Sequence, residues 1–182
     1  METYGYMGKI CRVNLTKKKV SVEDLEERDV KRFLGCSGYA AKILWDELKA
    51  GIDPLSEKNK IVFATGPLSG TLCPSGGSYE LCFKSPLTGI WCQARSGGSF
   101  GPRLKKAGFD FLVIEGKSAT PVYLRVRNGN CEIREASHLW GRDVETTTNM
   151  LLDETEDRDA SVAAIGVAGE NMVRFAAVIN DR

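Results

Sequence analysis

The sequence predicts an α+β domain of mixed β-sheets with flanking helices. Three observations point there. Strand-length apolar runs outnumber helical patterns, and hairpin signals mix with crossover connections. Neither G-x-G-x-x-G nor the Walker P-loop pattern occurs, so a regular βαβ fold lacks its usual marker. The 182 residues fit one domain, or two intimately mixed halves, and suffice for a sizeable core.

Residues 8–15 alternate loosely and read as a strand. Thr16-Lys17-Lys18-Lys19 is a polar turn, and residues 20–23 form the return strand of a hairpin. Residues 26–34 carry helical spacing at Val30, Phe33 and Leu34 and end at Gly35. Cys36-Ser37-Gly38 reads as a short break before a helix over 39–48, whose apolar stripe is Ala40, Ile43, Leu44 and Leu48. A polar loop over 51–60 leads into Ile61-Val62-Phe63-Ala64, a continuous apolar run typical of a buried strand. Strands over 79–83 and 90–94 follow, then a helix with Phe100, Leu104 and Ala107 on one face. Residues 111–115 are a further buried strand. Asn128-Gly129-Asn130 is a hairpin turn between strands at 122–126 and 132–134. Residues 143–152 read as a helix, with Asp143 and Glu145 where the helix dipole favours acid. Strands at 161–165 and 175–179 flank Gly166-Val167-Ala168-Gly169-Glu170-Asn171.

The stretch over 65–102 organises the chain. It is rich in Gly, Ser, Thr and Pro, and its only charged residues are Glu80, Lys84 and Arg95, against 27% charge overall. Glycine lets a backbone approach a ligand or another backbone without a Cβ in the way. Arg95-Ser96-Gly97-Gly98-Ser99 runs into Phe100-Gly101-Pro102-Arg103-Leu104, a loop feeding a helix. Free N–H groups and the dipole at a helix start favour anions, so this stretch predicts a phosphate-bearing ligand.

A formal net charge of +1 argues against bulk electrostatic binding to nucleic acid or an acidic membrane. No apolar run approaches the roughly 20 residues of a membrane span, and residues 1–15 carry no secretory pattern, which points to the cytoplasm. Cys11, Cys36, Cys73, Cys82, Cys92 and Cys131 are scattered without a C-x-x-C pair. They read as small buried or half-buried thiols rather than a disulfide scaffold or metal site. The sole histidine, His138, reads as a packed loop residue beside Trp140.

Several blocks together resemble one family. They include Gly5-Tyr6-Met7-Gly8-Lys9-Ile10, Asp53-Pro54-Leu55-Ser56, Ala64-Thr65-Gly66-Pro67-Leu68-Ser69-Gly70-Thr71 and Lys84-Ser85-Pro86-Leu87-Thr88-Gly89. They continue with Ser96-Gly97-Gly98, Ala136-Ser137-His138-Leu139-Trp140-Gly141, Ala168-Gly169-Glu170-Asn171 and Asn180-Asp181. In order and spacing the chain resembles the N-terminal domain of the tungsten-containing aldehyde ferredoxin oxidoreductases. The resemblance implies two related, intertwined halves of mixed sheet that form a base for tungstopterin, a W (or Mo) ion held by two molybdopterin dithiolenes. It also implies that residues 1–182 are one pterin-binding domain. The helical domains that bear a [4Fe–4S] cluster then lie outside this chain, as do the ferredoxin contact and electron transfer. The activity implied is oxidation of aldehydes to carboxylic acids, for which this domain alone supplies no catalytic residue and no metal ligand. The alternative is a stand-alone binding or scaffold protein of the same fold that has lost catalysis and pairs as a homodimer.

Carried over residue by residue, the cofactor-binding candidates are Gly76, Gly77, Ser78, Arg95, Ser96, Gly97 and Gly98. Two positions depart from the family pattern. Ser78 stands where the family commonly has Arg, which removes a guanidinium fork. Arg95 stands where it commonly has Asn. We expect Arg95 to restore the charge that Ser78 lacks if the two turns converge.

Overall fold

The computed structural model describes residues 4–155, 157 and 159–181. The first hairpin forms as its alternation requires: β1 (Lys9–Asn14) and β2 (Lys19–Asp24) pair antiparallel, with Val13 opposite Val20. Helices α1 (Glu27–Phe33) and α2 (Cys36–Glu47) follow, then β3 (Lys60–Ala64), β4 (Tyr79–Lys84) and β5 (Trp91–Ser96). Helix α3 (Phe100–Lys106) leads to β6 (Phe111–Glu115), which inserts between β1 and β3. The result is a six-stranded mixed sheet of order β2-β1-β6-β3-β4-β5. Only the β1–β6 pair within it is parallel. Two antiparallel ribbons complete the described strands: β7 (Val122–Arg127) with β8 (Asn130–Glu135), and β9 (Ala163–Ile165) with β10 (Val178–Asn180). Helix α4 (Val144–Thr155) lies between the ribbons in sequence, and the short α5 (Val167–Glu170) connects β9 to β10.

The sheet separates two cores, as alternation along buried strands demands. Ile10, Val62, Ala64, Cys82, Phe111 and Val113 face α1 and α2 and pack on Val30, Tyr39, Ile43 and Leu44. Cys11, Val13, Phe63, Leu81 and Leu112 face α3 and the ribbons, where Leu104, Phe109, Leu124, Val126 and Ile133 meet them. Tyr39 stacks on Phe111 across the first core, with ring centroids 4.7 Å apart.

Three local features go beyond or against the sequence reading. Cys36-Ser37-Gly38 is the first turn of α2 rather than a break. Its leading N–H groups find tertiary acceptors: Cys36 N donates to Thr65 O (2.9 Å) and Ser37 N to Glu80 Oε2 (2.6 Å). Gly38 is required there because an added Cβ would lie 2.4 Å from Phe33 O. Within the stretch at 166–171, to which the sequence assigns no element, α5 forms on bonds from Gly169 N and Glu170 N to Gly166 O. The last strand starts at Val178, since residues 173–176 close a turn through Ala176 N to Val173 O (2.9 Å).

Candidate functional site

Strands β4 and β5 pair antiparallel with Tyr79 opposite Ser96. The turn that enters β4 and the turn that leaves β5 therefore emerge side by side. They touch: an added Cβ on Gly77 would lie 2.8 Å from Gly98 O. One on Gly101, at the start of α3, would lie 3.1 Å from Tyr79 Cβ and 3.2 Å from Ser78 O. Gly76 is enclosed by its own turn, 2.8 Å from Leu68 O and 2.9 Å from Cys73 O by the same measure. Gly97 differs. Nothing lies within 4 Å of where its Cβ would be, and the residue is exposed. Gly76 and Gly77 thus permit backbone-on-backbone packing, while Gly97 presents an open face.

The second turn is held from below by the end of the chain. Ser96 Oγ donates to Asn180 Oδ1 (2.6 Å), as does Tyr79 OH (3.0 Å), and Asn180 Nδ2 donates to Gly97 O (3.0 Å). Asp181 Oδ2 accepts from Ser99 N (2.6 Å), and its other oxygen accepts from Ser161 Oγ. Burial would push the Asp181 carboxyl up, but these donors outweigh it and hold it below the usual carboxylate range. The Ser99 N–H expected to meet a ligand anion is therefore already taken by the chain's own acid. Helix α3 also spans only seven residues. Ser78 contributes its backbone, with Ser69 Oγ donating to Ser78 O (3.0 Å).

Arg95 lies on the edge strand β5, opposite Glu80 of β4. Its Nε (3.1 Å) and Nη2 (2.6 Å) both donate to Glu80 Oε1, while its side chain stays 67% exposed. Glu80 is fully buried and also accepts from Gln93 Nε2 (3.0 Å) and from Ser37 N. Burial alone would raise its carboxyl, yet the Arg95 and Ser37 hydrogen bonds win and keep it depressed. The two turns do meet, but the Arg95 charge is shared with Glu80 rather than left open.

A third layer lies behind the turns. Lys105 is buried, donates to Gly66 O (2.9 Å) and Gly5 O, and pairs with Asp110 at 3.1 Å. Asp110 accepts from the backbone N–H groups of Met7 (3.1 Å), Gly8 (2.7 Å) and Lys9 (3.4 Å). This pair binds the N-terminal segment to Gly66-Pro67, next to the glycine-rich turns. Sequence reasoning missed Glu80, Lys105, Asp110 and the role of Asn180-Asp181. Asp110 between Phe109 and Phe111 was the available signal, because an acid inside an apolar run asks for a partner.

His138 Nε2 lies 3.1 Å from Glu154 Oε1 and ties its 3-10 turn to α4. Cys11, Cys82 and Cys131 are buried, Cys36 and Cys92 half-buried, and Cys73 is exposed, against expectation, in a turn whose residues 71–75 are all exposed. Among the described residues no three His, Cys, Asp or Glu side chains converge as metal ligands. No helix among them is long and apolar enough to cross a membrane. A cavity of about 670 Å³ lies between the sheet and the ribbons, lined by Phe63, Phe100, Leu112, Val126 and Leu151 among others, and none of the seven candidate residues lines it.

A sequence model for the aldehyde ferredoxin oxidoreductase N-terminal domain matches residues 10–182. The chain belongs to this family. It is 48% identical over 178 residues to the tungsten-containing aldehyde ferredoxin oxidoreductase of Pyrococcus horikoshii, covering 98% of this chain and 29% of that protein. It is 35% identical over 191 residues to the WOR-like subunit of an aliphatic sulfonate oxidoreductase from Pyrococcus furiosus, covering 97% and 30%. Among solved structures it superposes with TM-score 0.96 and 37% identity on a chain of the BamBC active-site complex of benzoyl coenzyme A reductase, covering 98% and 27%. The chain thus spans under a third of these family members and corresponds to their N-terminal domain. All three relatives are named as oxidoreductases or a reductase, and none supports the stand-alone scaffold.

Proposed function

We propose that this chain is the cofactor-facing domain of a tungstopterin oxidoreductase, with the turns at 76–78 and 95–98 lying against the pterin. One observation carries the reading: the two turns pack backbone on backbone and leave Gly97 open, two residues after a largely exposed Arg95. A large, flat anionic group fits that donor set. Gly97 removes the side chain that would hold it off, and the exposed backbone at Gly97 and Gly98 offers neutral hydrogen bonds. Arg95 adds an exposed guanidinium edge whose charge is shared with Glu80. When bound, tungstopterin would supply two-electron redox chemistry. The chain's own residues bind and orient: Asn180 and Asp181 fix the Ser96–Ser99 backbone, and the Lys105–Asp110 pair fixes the Gly66-Pro67 turn behind it.

By the same proposal, oxidation of aldehydes to carboxylic acids and electron transfer through a [4Fe–4S] cluster to ferredoxin belong to the longer protein of which this fold is a part. The relative of highest identity quoted above favours an aldehyde over the aliphatic sulfonate or benzoyl coenzyme A named for the others. The test is to express the chain from its own gene in a host supplied with tungstate, then measure tungsten by mass spectrometry and pterin by fluorescence of its oxidised derivative. Stoichiometric tungsten and pterin together support the proposal. Folded, soluble protein with neither overturns it.

A further inference from the structure

Two of the blocks that carry the family resemblance take no part in the candidate cofactor site. Asp53-Pro54-Leu55-Ser56 precedes β3, and Ser85-Pro86-Leu87-Thr88-Gly89 joins β4 to β5. Strand pairing puts both at the end of the β4–β5 hairpin away from the turns at 76–78 and 95–98, roughly 17–20 Å along the strands. There they line, with Arg174, a surface cavity of about 310 Å³. The two loops are tied together by hydrogen bonds. Asn59 Nδ2 donates to Pro54 O (2.8 Å) and Lys84 O (3.0 Å), and Lys84 Nζ donates to Ile52 O (2.6 Å). Asp53 Oδ1 accepts from Leu55 N (3.0 Å), and Ser85 Oγ from Leu87 N and Thr88 N, each at 3.2 Å. Loops fixed this firmly nevertheless turn apolar side chains to solvent. Leu55, Leu87 and Ile90 are exposed, as are Met172 and Phe175 on either side of Arg174 in the chain. Arg174 is itself exposed and pairs with no carboxylate among the described residues. Rigid apolar tips around one open cation have the composition of an interface rather than of a solvated loop.

We propose that this surface is the docking site for the remainder of the longer protein, through a segment that sets apolar side chains on Leu55, Leu87 and Phe175 and a carboxylate on Arg174. The inference rests on the reading of this chain as one domain of a longer oxidoreductase. Two observations choose that occupant. The relatives at 48% and 35% identity are covered over only 29% and 30% of their length, so more than two-thirds of each lies outside this fold. The second is charge: Asp53 lines the same cavity but forms no ion pair with Arg174, which leaves the guanidinium to an acid from elsewhere. A carboxylate can take it by two parallel hydrogen bonds. Because the loops are already fixed by their own hydrogen bonds, docking orders little backbone on this side, which lowers its entropic cost. The site also has a geometric use. Strands β4 and β5 run unbroken from these loops to the turns at 76–78 and 95–98, so a partner gripped here is placed in register with the candidate cofactor site.

The experiment uses the complete product of the gene that encodes this chain, at a concentration where sedimentation shows a single copy. Hydroxyl-radical labelling, digestion and mass spectrometry read side-chain access at Leu55, Leu87, Met172 and Phe175. A free peptide in the same tube records the radical dose. The expected result is loss of labelling at all four, although each is exposed in this fold. In Arg174→Glu the labelling should return while circular dichroism shows the fold retained. Should that variant fail to fold, Leu87→Asp takes its place with the same expected return. A longer product labelled at these residues as fast as the free peptide overturns the inference and leaves the proposed function standing. Protection only at concentrations where two copies associate assigns the surface to a second copy and overturns it as well. So does protection that Arg174→Glu leaves unchanged, since no acid then faces the guanidinium. A gene product that ends with this fold overturns both the inference and the reading on which it rests.

Discussion

Gly77 and Gly97 should respond oppositely to the same methyl group. In Gly77→Ala the new Cβ would sit 2.8 Å from Gly98 O. An ordinary carbon–oxygen contact needs roughly 0.5 Å more. The Gly98 carbonyl cannot yield freely, since its residue has φ +84° and the next N–H, that of Ser99, is fixed to Asp181. Overpacking of this kind costs about 1–3 kcal/mol. For a chain of this size that lowers Tm by roughly 2–12 °C. Gly97→Ala meets nothing within 4 Å and its φ is not in the left-handed region, so its stability should change by less than about 0.5 kcal/mol. Yet the methyl occupies the face offered to the pterin, so tungsten and pterin content should fall in this variant while its Tm holds. Thermal denaturation and metal analysis of the two variants read both quantities. A stable Gly77→Ala, or a Gly97→Ala that melts early or keeps full cofactor, would refute the division between packing and binding glycines.

Glu80→Ala should destabilise by about 2–4 kcal/mol, because it orphans Ser37 N at the start of α2 and releases Arg95; chemical denaturation checks it. Lys105→Met leaves the Asp110 carboxylate buried without its cation and should cost about 3–5 kcal/mol in the same assay. Asn180→Ala removes the acceptor of both Ser96 Oγ and Tyr79 OH, and should speed amide exchange at Ser96 and Gly97 by roughly tenfold, about 1.4 kcal/mol of local stability. Acid should weaken the fold at the same place. Glu80 and Asp181 carry carboxyls depressed in the folded state, so their stabilisation is present above the ordinary carboxylate range and is lost as pH falls through the depressed values. The Tm should therefore decline below about pH 4, with a shallower decline in Glu80→Gln. An unchanged acid profile in that variant would remove Glu80 from the explanation.

Alternation and apolar run length made the sheet legible. Ile61-Val62-Phe63-Ala64 and the run at 111–115 are strands because both faces of β3 and β6 are buried. Where donors came from distant elements, local reading stopped short. The first turn of α2 depends on Thr65 O and Glu80, and nothing near Cys36 announces either. The candidate turns followed from glycine content, but the distinction between Gly77 and Gly97 required knowing which backbone lies opposite. Arg95 was legible as a charge, but its partner was not, because Glu80 is near only through strand pairing. Asp181 at Ser99 N was equally hidden, since chain ends and loops meet only in three dimensions.

The central claim is that the turns at 76–78 and 95–98 lie against a pterin. Amide hydrogen exchange of the cofactor-loaded and cofactor-free protein tests it most directly. The account predicts protection on loading at Ser96, Gly97 and Gly98, and a smaller gain at Gly77 and Ser78, whose backbone is already packed. Loaded protein with unchanged exchange at residues 96–98 and protection elsewhere would contradict it.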